Sequence, residues 1–253
     1  MANGEEPKAS AKAGAAQVPA GAGMGVLETR YDDGKLRERS QMKNGKLDGD
    51  SQSFSPEGRP LRSARLREGV LEGEVRVYDE AGLISQKSQY AAGLLDGRTL
   101  LYAEGRLIAM LHYRKGVQEG EFVSYGETGE PAARMTYVQG KPHGEALNYD
   151  SDGKLVRRAR YVQGALEGES IDYDNKGNVL ERAPYRNGLL EGERKRFHAN
   201  RKLKESAPFK AGKSAGPVRE YDESGNLMAA AGADGRQPGQ SRLLTFLEKL
   251  VKG

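Results

Sequence analysis

The sequence predicts an all-β protein, an elongated antiparallel meander of about eight 24-residue β-hairpin repeats that ends in a short C-terminal helix. Three observations carry that expectation. A glycine pair of the form G-x-x-x-G returns at Gly45/Gly49, Gly69/Gly73, Gly93/Gly97, Gly116/Gly120, Gly140/Gly144, Gly164/Gly168, Gly188/Gly192 and Gly212/Gly216. The step is 24 residues, save one of 23 between Gly97 and Gly120, and chance does not hold such pairs in phase. Two aromatic positions keep the same beat: Phe54, Tyr78, Tyr102, Tyr125, Tyr149, Tyr173, Phe197 and Tyr221 after the pair, and Tyr90, Tyr113, Tyr137, Tyr161, Tyr185 and Phe209 before it, with Met42 and Leu66 at the earliest copies. Between the glycines, side chains alternate at period two, as in Leu155, Arg157, Ala159, Tyr161 or Leu203, Glu205, Ala207, Phe209.

In chain order, residues 1–25 form an Ala/Gly-rich tail with too little apolar content to fold, and disorder is expected there. Residues 26–228 form the repeat domain. Each unit reads as strand, turn, strand, turn, because segments of about five to nine residues suit strands and not helices. "YDEAG", "YDSDG" and "YDNKG" end in glycine after Asp, Asn or Ser, as a tight connection with positive φ requires. The glycine pair is expected to form the opposite connection. Gly105 comes one residue early, which places the deletion of the short unit in that turn, and Arg201 replaces glycine in "HANRKL". Residues 229–240 read as a linker, and 241–253 as an amphipathic helix, with Leu243, Leu244, Phe246, Leu247, Leu250 and Val251 recurring at helical spacing after a Ser241 cap. That helix either packs as an end cap or docks on a membrane or partner.

Composition sets the bounds. Apolar residues make up 36% and charged residues 30% of the 253, with 34 glycines and no tryptophan, which argues for a thin fold and not a deep core. The net charge of +4 is too small at this length to announce a nucleic-acid binder, and nucleic acid is not an expected partner. With no cysteine, disulfides, thiolate zinc sites and cysteine nucleophiles are excluded. The N-terminus has no apolar signal core, so the expected location is cytoplasmic, or periplasmic if an export or lipoprotein leader once preceded it.

"YVQGALEGESIDYDNKGNVL" and "YRNGLLEGERKRF" resemble MORN repeats, with Tyr-x-x-Gly, then Gly-Glu, then an aromatic. The longer period and absent tryptophan are closer to the MORN-variant repeats of bacterial antitoxin and immunity proteins. The resemblance implies a non-enzymatic protein that binds a cognate toxin or secreted effector and neutralises it. Its alternative is a membrane- or envelope-associated scaffold that binds anionic phospholipid or another protein.

Apparent catalytic motifs dissolve on inspection. "GKSAG" matches the G-x-S-x-G nucleophile elbow, but Ser214 occupies a repeat position held by Leu190 and Leu166 in earlier copies. His112, His143 and His198 stand in different repeats, so no metal triad is expected. Glu74, Glu121, Glu145, Glu169 and Glu193 recur in phase and read as a solvated ladder instead of a paired acid and base. No catalytic residue, metal or cofactor is expected. The one local departure is a basic run, of which Arg182, Arg186, Arg194, Lys195, Arg196, Arg201 and Lys202 are the candidate partner-binding residues. It is either a solvated surface or a docking patch for an acidic partner, with nucleic acid or anionic lipid behind both.

Overall fold

The protein is described by a computed structural model covering residues 23–228. The tail through residue 22, the linker at 229–240 and the helix expected over 241–253 lie outside the described residues. Every regular element among the described residues is a strand, and the first, Met24–Arg30, opens two residues ahead of the expected domain start. The chain divides into two compact units, Met1–Gly164 and Ala165–Gly253. The first holds strands from Met24–Arg30 to Leu155–Val162, and the second those from Ala165–Leu166 to Arg219–Glu220. Within each unit, successive strands pair antiparallel as a hairpin meander.

The glycine pair is not one connection. Its first member closes a two-residue turn in which both central residues have positive φ: Asn44 at 50° with Gly45 at 77°, and so on to Ala211 at 48° with Gly212 at 78°. This is type I′ geometry, whose twist matches that of the flanking strands. The second member lies in the strand, opposite the repeat's aromatic: Gly73 faces Tyr90, Gly144 faces Tyr161 and Gly192 faces Phe209. In several copies its positive φ breaks the strand one residue earlier, giving pieces such as Val70–Leu71 and Gly73–Tyr78 where one strand was expected.

The other connection behaves as its sequence predicts. In "YDEAG", the Gly82 N–H donates to the Asp79 carbonyl at 2.9 Å, and Asp79 Oδ1 accepts from the Leu83 N–H at 2.8 Å. Gly34 opens the series one copy earlier than the pattern suggested, with its N–H donating to Tyr31 O at 2.9 Å. In the short unit this loop collapses to a two-residue turn, Glu104 at φ 51° and Gly105 at φ 76°, with Ala103 paired to Arg106.

Consecutive repeats are stitched at the I′ turns. The residue just before the second glycine is usually acidic, and its carboxylate accepts the N–H of the next repeat's first turn residue. Glu72 takes Ala92 at 3.1 Å, Glu119 takes Gln139 at 2.9 Å, Glu167 takes Asn187 at 2.9 Å and Glu191 takes Ala211 at 2.7 Å. The adjacent glycine N–H donates to a carbonyl of the preceding repeat, as Gly93 does to Leu71 and Gly188 to Leu166. These are the donors that a tight turn would otherwise leave to water.

The core of each unit is built on a row of buried side chains that crosses its strands, with further buried residues such as Ala109, Ala133 and Tyr137 beside it. In the first unit it runs through Ser40, Ala64, Val75, Ser88, Thr99, Leu111, Phe122, Met135, Ala146 and Ala159; the second unit has its own row of Ser170, Ala183, Arg194 and Ala207. Tyrosines flank the row on the same face. Phe122 and Tyr137 meet edge to face, with centroids 6.1 Å apart. Burial, then the neighbouring tyrosines, pushes the hydroxyl pKa of Tyr113 and Tyr137 above its usual value.

Candidate functional site

The predicted basic residues all fall in the second unit, but they do not assemble into one patch. Strand alternation sends Arg194 and Arg196 to the core face, and Arg182 and Lys195 to the opposite face. Arg194 is buried at 7% exposure, holds Glu205 at 2.5 Å and stacks over Phe209, 5.3 Å from its centroid. Arg196 pairs with Glu181 at 2.7 Å and Glu205 at 3.4 Å, and Glu181 above all raises its pKa further. Arg182 pairs with Glu169 at 3.0 Å and Lys195 with Glu193 at 3.4 Å. Lys202 spans two loops, Nζ donating to Ser224 O at 3.0 Å. Arg201 occupies the loop's glycine position at φ 67°. Arg186 stands exposed at a strand end.

A broader charge pattern, not singled out by the sequence reading, lies in the first unit. Its core face is mostly apolar or small, with Glu38, Arg62 and Arg157 among its few charged side chains. The opposite face is basic around an apolar row of Leu100, Met110, Val123 and Leu147, of which Val123 is buried. There Arg39 pairs with Glu28 at 3.3 Å, Arg76 with Glu74 at 2.6 Å, Arg134 with Glu121 at 3.9 Å and Arg158 with Glu145 at 3.8 Å. Lys87 lies over Tyr102, 5.7 Å from the ring centroid. Arg37, Arg65, Arg98 and Arg160 on the same face are exposed and make no ion pair among the described residues. The signal was available in the period-two alternation, which puts these arginines on the side away from Ala64, Thr99 and Ala159.

The remaining motifs have structural occupations. Three of the in-phase glutamates form a diagonal ladder, Glu121 to Arg134, Glu145 to Arg158 and Glu169 to Arg182, while Glu74 and Glu193 pair along their own strands with Arg76 and Lys195. Ser214 sits in the two-residue strand Lys213–Ser214 and donates to Gly216 O at 3.1 Å, away from any strand-to-helix turn. His112 and His198 bond the carbonyls of Glu121 and Tyr221, each at 2.8 Å. His143 takes the carboxylate's place in one stitch, its Nδ1 3.5 Å from the Gln163 N–H nitrogen. Among the described residues, no group of His, Cys, Asp and Glu has the arrangement of a metal site.

Repeats over residues 142–163 and 166–187 match the MORN repeat variant. The same glycine and aromatic beat runs along the rest of the patterned chain, outside the two matched segments. No curated protein matches it. Among solved structures, a mutant of S. aureus TarM in complex with fondaparinux, alpha-GlcNAc-glycerol and UDP is 12% identical over 52% of this chain and 21% of its own, at a TM-score of 0.21. The TcdB2-TccC3-Cdc42 structure is 10% identical over 82% of this chain and 14% of its own, also at 0.21. This chain spans well under two thirds of either, and likenesses this slight carry no argument about function.

Proposed function

We propose that this repeat scaffold is a non-enzymatic antitoxin or immunity protein, which neutralises an acidic cognate toxin or effector by covering it. The observation that carries the reading is the segregation of charge in the first unit, where unpaired Arg37, Arg65, Arg98 and Arg160 stand among ion-paired neighbours on one face. A sheet fixed by ladder hydrogen bonds presents these guanidiniums with little freedom to lose on binding, and guanidinium forks suit carboxylates. The class of protein supports the same direction, since the MORN-variant repeats it resembles occur in antitoxin and immunity proteins.

The test is titration of a cognate toxin, for which the product of the neighbouring gene is the first candidate. Its activity is expected to fall to background at about one equivalent. Arg98→Glu with Arg160→Glu should weaken the complex by roughly tenfold or more at low ionic strength, and less at high. Full toxin activity in a saturated complex would overturn the reading. So would tight binding to anionic vesicles together with no effect on the toxin, which would favour the membrane scaffold.

A further inference from the structure

In the first unit, the core face opens into a cavity of about 220 Å³. Its place follows from the sequence. The tyrosine of later repeats is Leu66 here, and the row beside it carries only Ser40, Ser51 and Ala64; small residues recur at Ala146 and Ala159, but there the rings of Tyr137 and Tyr161 are buried on the same face. Ring and bulk are therefore missing from the same few strands, and the cavity occupies that volume.

The lining is arranged in rows. Register places Glu38 opposite Ser53, and Ser53 opposite Arg62, so a carboxylate and a guanidinium face the space from strands two apart, about 9.6 Å at the usual strand spacing. Neither makes an ion pair among the described residues. Glu38 Oε1 accepts a 3.3 Å bond from Ser40, whose hydroxyl also meets that of Ser51 at 2.8 Å. Displaced along the strands from this charged row, Leu47, Leu66 and Leu71 form an apolar wall.

We infer that this cavity binds a small zwitterion with an aliphatic group, that is, a free α-amino acid of the leucine type. An ammonium would meet Glu38 and a carboxylate would meet Arg62, the ligand standing between two side chains that make no ion pair among the described residues. The aliphatic group would then lie along the strands, over Ala64 and against the leucines. The volume agrees, being below the roughly 300 Å³ at which drug-sized pockets begin. The charges fix the head and the apolar wall excludes a polar tail. This site is independent of toxin binding, and its test needs no toxin.

The experiment is an NMR or calorimetric titration of the full chain with L-leucine, N-acetyl-L-leucine and L-leucinamide. Leucine should bind saturably. Each blocked analogue loses one charge-assisted contact and should bind about tenfold more weakly or worse. Leu66→Tyr restores the ring of the later repeats and should abolish binding without lowering the thermal midpoint; Arg62→Gln, a surface change, should weaken it to a similar degree as amidation. Absence of leucine binding overturns the inference. So does equal binding by either blocked analogue, or binding that survives in both variants.

Discussion

Arg201 shows how closely a single position follows the repeat. Glycine holds this place at Gly58, Gly82, Gly129, Gly153, Gly177 and Gly225, all with φ between 75° and 89°; Arg201 is forced to 67°. An L-residue there costs roughly 1 kcal/mol relative to glycine, so Arg201→Gly should raise stability by about that amount in urea unfolding. A second residue-scale effect concerns pH. The Asp174 carboxyl is held below its ordinary pKa, chiefly by the Asn178 side chain and then by the backbone N–H groups of Asn178 and Lys176. A depressed folded-state value means that the contribution is fully present above the ordinary carboxylate pKa, near 4, and is lost as pH falls through the lower value. Asp174→Asn should therefore flatten the fall of the urea midpoint between about pH 5 and pH 2, while an unchanged slope would remove Asp174 from the account.

At the level of the hairpin, the same glycine serves different needs in different copies. Gly168 and Gly192 both have positive φ, at 83° and 116°, but an added Cβ meets nothing within 4 Å at Gly168 and lies 3.1 Å from Pro184 Cγ at Gly192. Gly168→Ala should carry only the backbone penalty of about 1 kcal/mol, and Gly192→Ala clearly more, as thermal midpoints will show. The stitch gives a complementary test. His143 is a distant acceptor at 3.5 Å where other copies place a carboxylate within 3.2 Å. His143→Glu should stabilise by roughly 0.5–1.5 kcal/mol, the worth of one hydrogen bond, and raise amide-exchange protection at Gln163. Much of the hairpin was legible beforehand, since the aromatic beat and the Asp-to-Gly loops fixed strand positions. The I′ turn was not, because a G-x-x-x-G spacing does not say which glycine turns the chain; the answer lay in the residue before the first one, whose identity varies from Asn44 to Ala92 to Lys115.

Across each unit, contacts run between neighbouring strands, so stability is close to a sum of local terms. Excising residues 70–93, one repeat length of 24, keeps the phase and should leave a folded protein with a lower thermal midpoint. Removing half a repeat reverses a strand and should abolish cooperative unfolding by circular dichroism. At this scale the sequence was a good guide to architecture and a poor one to the binding surface. The basic run from Arg182 to Lys202 stood out because its charges are contiguous in the chain, but contiguity in a strand means opposite faces, and Glu181, Glu193 and Glu205 take up much of the charge. The arginines that do share a face, such as Arg65, Arg98 and Arg160, are scattered over three repeats and are gathered only by register.

The stitch also gives the molecule a direction in time. The turn at Glu68 and Gly69 is finished by Asp48 and the Leu47 carbonyl, and the turn at Ala92 and Gly93 by Glu72 and the Leu71 carbonyl, so acceptors always belong to the earlier copy. A chain emerging from the ribosome meets each new turn with its acceptors already in place. A fragment that begins mid-array starts instead with two backbone donors and nothing to receive them. Growth from the N-terminus is thus written into the order in which donors and acceptors are synthesised.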